Sequence, residues 1–244
     1  MGLHHTGTTE PHRDEPNIFS HSTGDKCLYG VLEDYIRTNQ ERPARNYLVN
    51  DMEENNRNDI FLTDNTANPA PLGLCAFGMT TLVLSIHNMG FSALSSPILA
   101  MTIFYGGVAQ VIAGIMEWKK NNTFGLVTFG SFGFFWISFA AILMIPALNL
   151  GKGPTPVDLA FFLGVWGIFA FGLFICTLRM HKILRLTLLF VVLLVVVLVA
   201  AELTGNALVA QIGGLVGVIA GGLALYIGLG QLINEVFKEK KFPV

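Results

Sequence analysis

Charge is scarce in this sequence, and its distribution excludes more than its amount. Charged side chains make up 13% of the 244 residues and hydrophobic ones 52%, with a mean hydropathy of +0.55. A soluble domain carries about 25% charged residues. Residues 69–118 hold one charged side chain, Glu117, whereas the first 67 residues are rich in them. A net charge of -2 with no long basic stripe gives no reason to expect a nucleic-acid partner. The three cysteines, Cys27, Cys75 and Cys176, lie far apart and offer neither a disulfide framework nor metal-ligand spacing. No metal or other cofactor is expected. There is no HExxH, GxGxxG, Walker loop or Ser/His/Asp set, so neither an enzyme nor a nucleotide-driven pump is expected. The first residues lack an apolar h-region, so no cleavable signal peptide is expected.

What remains is a succession of apolar runs. Residues 1–67 are polar and cannot bury enough apolar surface to offset the entropy of ordering. They are expected to form a largely disordered tail, with one amphipathic stretch at 28–36. From residue 68 the pattern predicts six helices, at about 70–88, 94–116, 124–146, 157–178, 184–203 and 207–229. Each is near the ~20 residues that cross ~30 Å of hydrocarbon. The breaks carry turn chemistry, as in Gly151-Lys152-Gly153-Pro154 and Thr204-Gly205-Asn206. The expected fold is therefore an all-α membrane protein, a six-helix transmembrane bundle over 68–237 followed by a short 238–244 terminus.

Loop charges orient the bundle. Lys119 and Lys120 fill the second break, Arg179, His181, Lys182 and Arg185 the fourth, and Lys238, Lys240 and Lys241 the end. The other breaks are nearly devoid of cations, so the positive-inside rule puts the even breaks and both termini in the cytoplasm. Gly213, Gly217 and Gly221 repeat at four-residue spacing in the sixth run, with Gly214 and Gly222 alongside. Small residues so spaced let helices approach closely, within the bundle or between subunits.

Polar groups within the apolar runs are the informative marks, because each is costly in lipid. Phe77, Thr80, Thr81, Leu84 and Asn88 share one face of the first helix. Gln110, Ala113, Gly114 and Glu117 share one face of the second, with Tyr105 just over a turn earlier. Two such stripes suit a narrow path, and equally suit hydroxyls bonded to their own helix and an amide joining helices. Glu117, beside Lys119 and Lys120, reads as an ion pair or a proton-linked carboxyl; His87, at the other face, reads as a solvated or proton-linked imidazole. In Asn68-Pro69-Ala70-Pro71-Leu72-Gly73-Leu74 an asparagine precedes a helix with proline in its first turn. That arrangement caps the helix and leaves a weak anion site at its positive end.

The same seven residues resemble the signature of the acetate uptake transporter family, relatives of the succinate–acetate permeases. The similarity continues in order through Phe77-Gly78-Met79-Thr80-Thr81, His87-Asn88, Phe104-Tyr105-Gly106-Gly107, Ala109-Gln110, Asn122-Thr123-Phe124-Gly125, Phe135-Trp136, Phe162-Leu163-Gly164 and Gly205-Asn206. It covers about 68–237. The resemblance implies a ring-shaped homo-oligomer, a hexamer, in which each protomer holds its own path for acetate and related monocarboxylates, and in some members succinate. It implies proton symport or channel-like permeation. It also implies a hydrophobic constriction at Phe77, Phe132 and Val191, where relatives often have Tyr and Leu at the second and third positions. Thr80, Thr81, Tyr105 and Gln110 are the expected polar contacts along the path, and the signature marks its cytoplasmic mouth. The long tail suits the plasma membrane of a eukaryote. Two other readings share the composition: a passive channel for ammonia or another small solute, and a sensor or scaffold that moves nothing.

Overall fold

A computed structural model of the chain describes residues 66–244, together with Glu33. The expected tail, its amphipathic stretch at 28–36 and Cys27 lie almost wholly outside the described residues. Among those described there are six helices long and apolar enough to cross a membrane, and no strand. They are α1 (Ala70–Asn88), α2 (Ser96–Lys119), α3 (Thr123–Ala147), α4 (Pro156–Thr177), α5 (Lys182–Thr204) and α6 (Ala207–Phe237). The expected boundaries hold to within a few residues, except that α6 runs well past residue 229.

Four of the six helix starts have a local cause in a side chain. Asn68 Oδ1 accepts from Ala70 N at 3.1 Å, and Pro71 occupies the first turn of α1, where a missing N–H costs nothing. Asn122 caps α3 by accepting from Gly125 N at 3.1 Å. Thr155 and Asp158 form a reciprocal capping box on α4, with Thr155 N donating to Asp158 Oδ2 at 2.8 Å and Asp158 N to Thr155 Oγ1 at 3.2 Å. Gly205, at φ +63°, ends α5 in the left-handed region that favours glycine, and Asn206 then caps α6. Replacing the capping side chain of Asn122, Thr155 or Asn206 by alanine costs about 1 kcal/mol.

Helix α1 runs through the centre, and α6 is its most extensive neighbour. A Cβ on Gly78 would lie 2.7 Å from Gly221 O, and one on Gly221 would lie 2.8 Å from Gly78 O, so the two backbones touch. Gly214 and Gly217 lie against Ser85 in the same seam, while Gly213 turns to Leu198 of α5. The glycine stripe is thus used inside the bundle, apart from Gly222, which has nothing within 4 Å of its would-be Cβ. Close contact of this kind replaces the hydrophobic drive that lipid cannot supply.

Helix α2 departs from regular α geometry: Met101–Ala109 is π-helical between α-helical ends. The widened turn sets Gly106 against Thr80, whose Cγ2 would lie 2.7 Å from an added Cβ. Beyond α6, Lys238 adopts φ +52° and the chain reverses. Asn234 then holds Phe242 from both sides, donating to its carbonyl and accepting from its N–H, each at 2.8 Å. Outward-facing apolar side chains such as Phe104, Phe161, Ile168 and Val196 are well exposed. That surface suits lipid rather than water.

Candidate functional site

Two cavities lie along the bundle. The first, of about 190 Å³, opens at the end where α1 begins and is lined by Ala70, Leu74, Gln110, Glu117, Thr128 and Gln231 among others. The second, of about 210 Å³, lies toward the end where α1 finishes, against Thr81, His87, Trp136, Trp166 and Glu202. Three residues line both: Phe77, Phe132 and Val191. They come from α1, α3 and α5 and are all buried. The Phe77 and Phe132 ring centroids are 5.4 Å apart, and Trp136 and Phe169 lie 6.4 and 6.0 Å from Phe77 and Phe132 respectively. Tilted and edge-on ring pairs at such distances are each worth about 0.5–1.5 kcal/mol beyond their buried area. The rings are therefore braced by neighbours rather than loose in the cavities.

Polar atoms around the cavities are under-satisfied. Gln110 is 1% exposed, and neither its Oε1 nor its Nε2 has a hydrogen-bond partner. Thr128 Oγ1 in the first cavity, and Thr81 Oγ1 and Trp136 Nε1 in the second, are likewise buried and unpartnered. An unmet buried hydrogen-bonding group costs about 1–3 kcal/mol. Several along two adjoining cavities mark places suited to a guest or water that would complete the bonding. Glu117 is 2% exposed: Asn122 Nδ2 donates to its Oε2 at 2.8 Å, while Oε1 has no hydrogen-bond partner. Glu117 is thus a buried carboxyl facing the first cavity, and Lys120, one of the two lysines expected beside it, interacts with it electrostatically.

The remaining expected residues divide. Thr81 and Gln110 line cavities, but Thr80 and Tyr105 line neither. Thr80 is turned to α2, its hydroxyl 3.4 Å from Met101 O, and Tyr105 is half-buried within the π-helical segment. His87 borders the second cavity, with Nδ1 2.8 Å from Ser92 O. In the signature, Ala70 lines the first cavity, and Asn68 Nδ2 lies 3.5 Å from Gln231 Oε1 on α6. The expected anion site at this helix start has no free donor: Ala70 N is taken by Asn68, Leu72 N and Gly73 N by Pro69 O, and Pro71 has none. Sequence reasoning passed over Trp136, Thr128 and Glu202. A signal was available, since Thr128, Phe132 and Trp136 repeat every four residues, and Val191, Val195, Leu198 and Glu202 follow four- and three-residue steps.

With this geometry in hand, comparison with known proteins becomes specific. The model of the GPR1/FUN34/yaaH family matches residues 55–243. The chain belongs to this family. Among GPR1/FUN34/yaaH members, the succinate-acetate/proton symporter SatP of Escherichia coli is 44% identical over 178 residues, 73% of this chain and 95% of that protein. Ammonia transport outward protein 2 of Saccharomyces cerevisiae is 39% identical over 168 residues, 66% of this chain and 59% of the yeast protein. A solved structure of the bacterial acetate channel SatP superposes with a TM-score of 0.72 at 43% identity, covering 74% of this chain and 99% of that one. The resemblance read from the signature is thereby shown to be membership, and the six-helix membrane architecture agrees with that neighbour.

Proposed function

We propose that the chain carries small monocarboxylates, chiefly acetate and also succinate, across a membrane through a path inside each protomer. The observation that carries this reading is that Phe77, Phe132 and Val191 are the side chains common to both cavities. A solute passing from one cavity to the other meets a purely apolar gate. Hydrated inorganic ions are held back there, because removing their water costs far more than such a gate returns. A short carboxylate presents a methyl group to the rings, and its protonated form carries no charge at all. Unpartnered groups wait on either side: Gln110 and Thr128 before the gate, Thr81 and Trp136 beyond it. They replace part of the water shed at entry. Glu117, with one oxygen free of hydrogen bonds in the first cavity, is the group through which a proton is exchanged on that side, and His87 borders the other.

Phe132 and Val191 depart from the Tyr and Leu frequent in relatives, which leaves the gate without a hydroxyl and slightly wider. The reading includes a ring-shaped homo-oligomer, a hexamer with one path per protomer. It also includes both termini in the cytoplasm and a location in the plasma membrane of a eukaryote, with the polar tail on the cytoplasmic side. Relatives named as a proton symporter and as an acetate channel both support an acetate path. A second reading, ammonia permeation, is favoured by the yeast relative's name, and neutral ammonia also fits an apolar gate.

Labelled-acetate uptake into proteoliposomes, with and without an inward proton gradient, tests the proposal. Uptake above empty liposomes and accelerated by the gradient supports proton-linked transport, and gradient-independent uptake supports a channel. Absence of acetate uptake alongside rapid ammonia equilibration moves the assignment to the second reading.

A further inference from the structure

The segment after α6 folds back so that Val244 lines the first cavity. Lys238 turns the chain back, Asn234 clamps the Phe242 backbone with two hydrogen bonds of 2.8 Å, and Val244 N bonds to Phe242 O at 2.9 Å. The Phe242 ring meets Tyr226 edge-on at 5.8 Å, and Lys241 Nζ lies 3.7 Å from the Phe237 ring centroid. Val244 rests on Gly230, where an added Cβ would lie 2.9 Å from its Cγ2. Its side chain lines the first cavity beside Gln231 and Ala70, at the same lip as the signature. These contacts hold an irregular stretch of chain back against α6, with Val244 placed at the mouth, although solvated backbone there would be no worse off.

We propose that residues 238–244 form a strap that keeps the mouth of the first cavity narrow, and that release of the strap speeds entry into the path; this rests on reading that cavity as one end of a carboxylate path. The latch is Asn234 and the seat is Gly230. The strap acts at the mouth, where Val244 lines the cavity beside Gln231 and Ala70. Its release widens the mouth, so flux rises for acetate and at least as much for larger carboxylates.

Two variants release it by different means. Asn234→Ala removes the latch, and Gly230→Ala leaves the helix intact while pushing Val244 off its seat. Access is read without any substrate. In full-length protein carrying Cys27→Ser, Cys176→Ser and Thr187→Cys, a small methanethiosulfonate reagent labels the new thiol inside the first cavity. Thr187 lines that cavity and bonds only to its own helix at Ile183 O, and the buried Cys75 remains as an internal control. Labelling at position 187 is expected to rise roughly tenfold or more in the Asn234→Ala background, the ratio that two ordinary hydrogen bonds maintain. Gly230→Ala is expected to move it in the same direction, and acetate uptake is expected to rise with labelling. Unchanged labelling in both variants, each melting as the parent does, overturns the strap. Faster labelling with unchanged acetate uptake overturns its control of entry. A parent protein that moves no acetate defeats the transport reading instead, and the labelling ratio still decides the strap.

Discussion

Replacing Phe77 by alanine is the most exacting test of the gate. The ring is the contribution of α1 to the boundary between the cavities, 5.4 Å from Phe132 and 6.4 Å from Trp136. Its loss joins a cavity of about 190 Å³ to one of about 210 Å³ and leaves Val191 facing Phe132 across a gap. Water then bridges the two chambers, and an ion no longer sheds its shell between them. Every 1.4 kcal/mol taken from the barrier multiplies a rate about tenfold, so even a modest recovery of hydration shows clearly. Chloride permeability of Phe77→Ala proteoliposomes, followed by a halide-sensitive dye, is expected to rise at least about tenfold. The acetate-to-chloride ratio falls accordingly. Stability falls too, by about 3 kcal/mol, the low end for a buried Phe→Ala change, because the site already borders open space. Phe77→Leu restores apolar bulk and is expected to recover most of the exclusion. If Phe77→Ala, folded and inserted, retains the parental acetate-to-chloride ratio, the gate is not where we place it.

Gln110→Leu removes two buried atoms that have no partner, so the melting temperature is expected to rise while acetate uptake falls; lower stability, or undiminished uptake, refutes a waiting contact. Glu117→Gln keeps the shape of the bond to Asn122 but abolishes proton exchange. The gradient should then no longer accelerate uptake, while uptake without a gradient persists; intact stimulation excludes Glu117 from coupling. Gly221→Ala forces a Cβ against Gly78 O and is expected to cost about 1–3 kcal/mol by overpacking, read as a lower melting temperature in detergent.

The membrane architecture was legible because lipid imposes a long, nearly charge-free run that little else produces, and α1 to α6 each satisfy it. Asn68 and Pro71 could be read as a cap because capping is local. The π-helical stretch at Met101–Ala109 could not, since one extra residue in a turn leaves no mark on composition. The length of α6 was underestimated for a related reason: Gln231, Asn234 and Glu235 look like loop residues, yet Gln231 lines a cavity and Asn234 fastens a returning chain. Phe77, Phe132 and Val191 emerged through family resemblance, because three helices distant in sequence meet there and spacing within one helix says nothing about the other two. Glu202 lies two turns beyond Val195 on the same face of α5, but so near the helix end that its charge alone does not mark it as a cavity residue.

The contact between Gly78 and Gly221 has a bearing on tempo. No side chain separates those two backbones, so no rotamer change can part α1 from α6 at the level of the gate. A solute is then admitted by side chains rather than by separation of these helices: the Phe77 ring on α1 and the ring and methyl groups that face it from α3 and α5. Side-chain rotations take picoseconds to nanoseconds in the open and domain motions take microseconds to milliseconds. A passage that opens by the first kind of movement works on a clock closer to a pore's than to a rocking carrier's, even when a proton travels with the cargo.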